Sequence, residues 1–169
     1  MREFLIHILI PMIFSNVIHM VLVKKNVLPT LLIPISKSLF GTNKTWRGVV
    51  IVSGLNAFFF WLVNLFNPLF TDTKALLFGA ILGFLYILFE LPNSFLKRRL
   101  GIGSGQAATK NAWLFMLLDK SDSALGVALG SKFLFNFSWL EMLQLFFVGI
   151  FVHIFFSWLL VVIGIKKRF

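Results

Sequence analysis

Five apolar runs dominate the chain, at about residues 3–23, 48–70, 75–91, 112–133 and 140–165. Each approaches the roughly 20 residues that an α-helix needs to cross the hydrocarbon of a bilayer. Between them they use up most of the sequence. Of its 169 residues, 59% are hydrophobic, 17% aromatic and only 13% charged, too few polar side chains to coat a soluble core. The expectation is therefore an all-α integral membrane protein with about five transmembrane helices, folded as a single domain over residues 1–169. No linker, low-complexity tract or internal repeat divides it. The opening "MREFLIHILIPMIF" resembles a signal peptide in its charge and apolar run, but no small-residue cleavage site follows, so it reads as a retained first span. There is no cysteine, which excludes disulfides and thiolate metal sites.

Charge sets the expected orientation. Lys24, Lys25, Lys37, Lys44 and Arg47 fall between the first two spans, and Lys97, Arg98, Arg99 and Lys110 between the third and fourth. Lys166, Lys167 and Arg168 follow the fifth, whereas Arg2, Lys74 and Lys132 fall on the opposite side. The positive-inside rule then predicts an N-terminus outside, a cytoplasmic C-terminus and residence in the cell's inner (cytoplasmic) membrane. A net charge of +10 could suggest nucleic acid, but cations flanking membrane helices are explained by topology and by anionic lipid head groups, so no nucleic-acid partner is expected.

The acidic residues are more selective. Glu3, Asp72 and Glu141 sit at predicted helix ends. Glu90 closes the third span, and Asp119 and Asp122 lie about 10–15 Å into the fourth at 1.5 Å per residue. A carboxylate at that depth needs a cation, a metal or water. Asp119 and Asp122, three apart, share one helix face that Gly126 and Gly130 continue, while Gly79, Gly83, Tyr86 and Glu90 align on the third span. If these two spans pack through their glycines, the three carboxylates converge near the membrane surface. Two resolutions of that like-charge cluster stay open. One is a divalent cation, Mg²⁺ or Mn²⁺ for an all-oxygen set. The other is a structural ion pair with Lys120 or a basic-loop residue.

In "FELPNSFLKRRLGIGSG", residues 89–105, Pro92 should bend the helix just past Glu90. If the turn resumes, Ser94 and Lys97 follow Glu90 on one face, Arg98 and Arg99 extend the positive field, and Gly101, Gly103 and Gly105 let the backbone approach a ligand rich in phosphate. Lys44 and Arg47 of "LFGTNKTWRGVV" could hold further phosphates, and Gly41 and Gly48 permit tight turns around them. Trp46 fits an interfacial belt better than a base-stacking role. Asn16 fits an interhelical hydrogen bond or a ligand contact, and His7, His19 and His153 fit buried or interfacial hydrogen bonding.

Together "FGTNKTWRG", "ELPNSFLKRRLGI" and "DKSDSALG", with "PMIFSNVIHM" in the first span, resemble the CDP-archaeol synthase family, relatives of the phosphatidate cytidylyltransferases, nearly end to end. The resemblance implies a nucleotidyltransferase of phospholipid biosynthesis, in which a lipid phosphate attacks the α-phosphorus of CTP to give a CDP-lipid and pyrophosphate. It implies a cytoplasm-facing active site with catalytic Lys97, Arg98, Asp119 and Asp122, and metal, Mg²⁺ or Mn²⁺, on Glu90, Asp119 and Asp122. Substrate binding falls to Asn16, Lys44, Arg47, Ser94, Lys97 and Arg98. Two positions depart from the family pattern: Glu90 stands where an aspartate is usual, and Lys120 where glutamine or arginine is usual. Outside the family, a small transporter or ion pathway, or a structural or assembly protein, would also place aspartates in a five-helix bundle. The lipid chain type and the oligomeric state leave no mark in the sequence.

Overall fold

The computed structural model describes residues 2–106 and 112–166. Five α-helices account for most of them: α1 (Arg2–Lys24), α2 (Trp46–Phe66), α3 (Asp72–Arg99), α4 (Ala112–Phe135) and α5 (Trp139–Val162). Among the described residues there is no strand, only an isolated bridge between Pro34 and Thr45. Each helix matches an apolar run of the sequence. Four of them, α1, α2, α3 and α5, are long and apolar enough to cross a membrane. α4 is 24 residues long, about 36 Å at 1.5 Å per residue, but Asp119, Lys120 and Asp122 interrupt its apolar character. Lys110, Lys167 and Arg168, counted in the charge asymmetry, lie outside the described residues.

Local chemistry sets the ends. Thr45 caps α2, its hydroxyl accepting from the Gly48 amide at 3.4 Å. Ser138 and Glu141 form a reciprocal capping box at the start of α5, which satisfies donors that the first turn leaves unpaired. Pro92 does not end α3, which runs on to Arg99. A proline removes one backbone donor, and a neighbouring side-chain bond, Ser94 Oγ to the Glu90 carbonyl at 2.9 Å, stitches the turn on the other side. Glu90, Asn93, Ser94 and Lys97 therefore share one face.

Sequential helices pack antiparallel, and α5 returns to lie beside α1, closing a ring. His7 near the start of α1 bonds the Asn67 carbonyl at the end of α2, at 2.9 Å. At the other end Lys24 of α1 donates to the Gly164 carbonyl beyond α5, at 3.0 Å. The glycine faces are used differently from the expected arrangement. A Cβ on Gly79 or Gly83 would sit 2.7–2.9 Å from backbone or Cβ atoms of α2 (Val52, Ser53, Asn56, Ala57 and Phe60), so these glycines bring α3 against α2. Gly126 and Gly130 do face α3, meeting Leu82, Leu85 and Phe89 rather than other glycines. One end of the bundle is filled by Phe4, Phe60, Phe70, Phe78, Phe135 and Phe137, with neighbouring ring centroids 5.1–6.4 Å apart. The opposite end is open and polar.

Candidate functional site

At that polar end the C-terminal halves of α1, α3 and α5 meet the start of α4 and the two basic loops around a cavity of about 490 Å³. α3 contributes Tyr86, Glu90, Ser94, Lys97 and Arg98, and α4 contributes Asp119, Lys120 and Asp122. Asn16 and His19 of α1, Lys44 of the first loop, and His153 and Lys166 from the α5 side complete the polar wall. Of the residues singled out from sequence, Asn16, Lys44, Glu90, Ser94, Lys97, Arg98, Asp119 and Asp122 thus come together. Arg47 is not among the lining residues. It is buried at the start of α2, donating to the Val27 carbonyl at 3.1 Å and to Asn26 Oδ1 at 3.4 Å, and so anchors the first loop to its own helix. Trp46 is exposed beside it, as a belt residue would be.

The carboxylates are organised by a residue to which the sequence pattern had assigned no role. Asn93 donates from one amide nitrogen to Asp119 Oδ1 at 2.6 Å and to Asp122 Oδ2 at 3.1 Å. Two like charges are held side by side by one shared donor, and the Lys97 ammonium bonds both oxygens of Asp119. Glu90 is turned to the Lys44 ammonium instead. Burial disfavours the charged form of Lys44, but the Glu90 carboxylate, with Asp122 and Asp119 beyond it, outweighs that cost and raises its pKa above the ordinary lysine value. The basic-loop ion pairs anticipated as one resolution of the acidic cluster are therefore present. Lys120 is buried, 4% exposed, and lines the same cavity.

Among the described residues no group of three or more histidine, aspartate or glutamate side chains is placed to hold a metal ion. The donor chemistry nevertheless fits Mg²⁺ at Asp119 and Asp122, because that ion is commonly bound by one or two carboxylates, with water and substrate phosphate completing the shell. Glu90, engaged by Lys44, stands outside this pair.

Other polar groups shape the walls. Asn16 donates to the Tyr86 hydroxyl at 2.8 Å, an interhelical hydrogen bond that also faces the cavity. Ser104 joins the two loops, accepting from the Thr42 amide and from Arg98 Nη1, both at 3.1 Å. Gly41, at φ +83°, makes that junction possible, since a Cβ there would lie 2.1 Å from Ser104 Oγ. Arg98 Nε is buried with no hydrogen-bond partner among the described residues, a donor left unmet beside the cavity. His153 Nδ1 lies 3.4 Å from Ser123 Oγ, so it contributes to the wall as a positioned group.

A smaller, apolar cleft of about 50 Å³ opens between α1 and α5, lined by Ile13, Val17, Val152, Phe156 and Leu160. Asn16, Tyr86 and His153 belong to both spaces. A charged chamber and an apolar slot thus share one wall. Asn93 could have been found from its position on the Glu90–Lys97 face, three residues after Glu90 and four before Lys97. Lys166 could not, since its role depends on α5 returning to α4. No family model, curated protein or solved structure matches the chain.

Proposed function

We propose that this protein is a CTP-dependent cytidylyltransferase that converts a lipid phosphate, archaeol-type or phosphatidate-like, to a CDP-lipid with release of pyrophosphate. The observation that carries the proposal is the shared wall between a chamber of paired carboxylates and cations and an apolar cleft. A reaction joining a water-soluble triphosphate to a membrane lipid needs both. The resemblance of the "FGTNKTWRG", "ELPNSFLKRRLGI" and "DKSDSALG" segments to CDP-archaeol synthases supports the same chemistry.

In this mechanism an oxygen of the lipid phosphate forms a bond to the α-phosphorus of CTP while the α–β anhydride breaks, and the electron pair leaves with pyrophosphate. The attacking oxygen is already ionised near neutral pH, so no general base is required. Such transfers depend on positioning and charge neutralisation. Lys44, Lys97 and Arg98 neutralise the triphosphate and the departing pyrophosphate. Asp119 and Asp122, spaced by Asn93, would hold Mg²⁺ or Mn²⁺, which supplies charge neutralisation at the phosphate oxygens when bound. Lys97 would exchange its Asp119 partner for phosphate as that charge is taken up. Ser94 faces the chamber as a hydroxyl for phosphate or cytidine. Five spans, an outer N-terminus and a cytoplasmic C-terminus in the inner membrane would place the chamber on the side where CTP is found.

The ion pairs of Lys97 with Asp119 and Lys44 with Glu90 favour a second reading, an ion pathway gated by exchange of partners. The two separate on pyrophosphate release from radiolabelled CTP by the purified protein, with phosphatidate and an archaeol-type phosphate offered in parallel. Cytidylyl transfer requires turnover with at least one lipid, its loss on chelation of Mg²⁺, and its loss in Asp119→Asn protein that still folds. Absence of turnover from folded protein, with ion flux sensitive to Asp119→Asn, would replace the enzyme by the pathway.

A further inference from the structure

Four polar side chains without a permanent charge, one from each of four helices, meet where the chamber gives way to the apolar cleft. They are Asn16 of α1, Tyr86 of α3, Ser123 of α4 and His153 of α5, and all four line the cleft. Asn16, Tyr86 and His153 line the chamber as well. The collar is held from within. Asn16 donates to the Tyr86 hydroxyl at 2.8 Å, the Tyr86 and His153 rings lie 6.1 Å apart, and His153 Nδ1 is 3.4 Å from Ser123 Oγ. Because the Tyr86 hydroxyl accepts from Asn16, its own hydrogen is left to donate. Polar groups between membrane helices often act as glue, and these bonds contribute in that way. Glue does not need open space beside it, whereas every member of this collar borders a cavity.

The order of chemistry along the wall identifies the ligand. On α3, Lys97, Ser94 and Glu90 line the chamber, and Tyr86 follows one turn deeper than Glu90, about 6 Å at 1.5 Å per residue. On α4, Asp119 and Asp122 line the chamber and Ser123 and Val127 the cleft. On α1 the sequence is His19 in the chamber, Asn16 at the junction, then Met12 and Leu9 in the cleft. The surface thus passes from charged to hydrogen-bonding to apolar on three helices. A glycerol-based lipid phosphate has the same order: an anion, a glycerol unit carrying ester or ether oxygens, and hydrocarbon. We infer that Tyr86, Ser123 and His153, with Asn16, form the subsite for the glycerol linkage of the lipid substrate, hydrogen-bonding its ester or ether oxygens while the phosphate stands in the chamber and the chain in the cleft. This rests on the cytidylyltransferase reading for the identity of the lipid. The collar fixes how deep the lipid sits, and so brings its phosphate level with the Asp119–Asp122 pair.

The test separates the linkage from the phosphate and from the chain in full-length protein. Binding of phosphatidate, its dialkyl ether counterpart and hexadecyl phosphate, each radiolabelled, is measured in detergent, and CTP binding by equilibrium dialysis. Hexadecyl phosphate has the phosphate and a chain but no glycerol. The unaltered protein should bind at least one glycerol lipid more tightly than hexadecyl phosphate. Tyr86→Phe, which removes one hydroxyl from the collar, should weaken that glycerol lipid by about three- to tenfold and leave hexadecyl phosphate and CTP within about twofold. Ser123→Ala, at a second position, should act in the same direction. Equal weakening of the glycerol lipid and hexadecyl phosphate, or of CTP with them, would show that the collar only ties helices together and would overturn the subsite. So would glycerol-lipid binding unchanged in both variants, or an unaltered protein that does not distinguish the lipids. Pyrophosphate release from CTP, run beside the binding, keeps the two readings apart. Turnover with collar-independent lipid binding removes the subsite and keeps the enzyme. Collar-dependent lipid binding without turnover keeps the subsite and removes the enzyme.

Discussion

Asn93 offers the sharpest test of how the chamber is assembled. It is 8% exposed, and its one amide nitrogen serves both Asp119 and Asp122. Replacing it by alanine removes two charge-assisted hydrogen bonds, nominally about 1.5–3 kcal/mol each. Part of this is recovered, because the Asp119 side chain is 45% exposed and keeps Lys97 as a partner. The expected loss is therefore about 2–3 kcal/mol, which for a chain of this size lowers the unfolding midpoint by roughly 4–12 °C. The assay is thermal unfolding in detergent, followed by circular dichroism, for Asn93→Ala in wild-type and Asp119→Asn/Asp122→Asn backgrounds. If Asn93 acts by holding two negative charges together, most of its effect should vanish once those charges are gone, giving an interaction energy above about 1 kcal/mol. An Asn93→Ala penalty that is the same in both backgrounds, within about 0.5 kcal/mol, would refute the bridging role and leave Asn93 a packing residue.

Other consequences follow from the same geometry. Gly83→Ala puts a Cβ 2.8–2.9 Å from the Ser53 and Val52 backbone and should cost about 1–3 kcal/mol in thermal unfolding; Gly54→Ala, which meets nothing within 4 Å, should be neutral or stabilising by up to about 1 kcal/mol. Gly41→Ala combines a clash with Ser104 and a positive φ, so it should detach the first loop from Arg98 and weaken CTP binding in equilibrium dialysis more than it lowers the melting temperature. The Lys44 pKa is raised in the folded protein, so the stability that its pair with Glu90 contributes is fully present below about pH 10.4 and is lost as pH rises through the folded value. An alkaline unfolding series should show that loss, and Glu90→Gln should remove it. Arg47→Met should lower the melting temperature through release of Asn26 and Val27; a wild-type melting curve would mean that the buried guanidinium does not hold the loop.

Much of this architecture is legible one segment at a time. The apolar runs mark the five helices because backbone groups in an apolar setting must bond within their own segment, and the i, i+3 spacing of Asp119 and Asp122 places them on one face wherever their helix packs. The same periodicity puts Glu90, Ser94 and Lys97 together once α3 continues through Pro92. Partner choice is not local. Gly79 and Gly83 seemed from spacing to be the contact for α4 and instead receive α2, because a small-residue stripe offers close approach to any helix without specifying which. Arg47 carries the right charge for a phosphate yet spends its donors on the Val27 carbonyl and Asn26, a choice made by how the first loop folds back. Lys166, by sequence one cation of a terminal basic run, reaches the chamber only because a glycine turn reverses the chain and α5 closes the ring against α1 and α4. Helix existence and the spacing of charges along each helix are properties of short-range covalent geometry, so the sequence alone determines them. Which charges meet depends on packing between segments that are distant in the chain, and that only the tertiary structure decides.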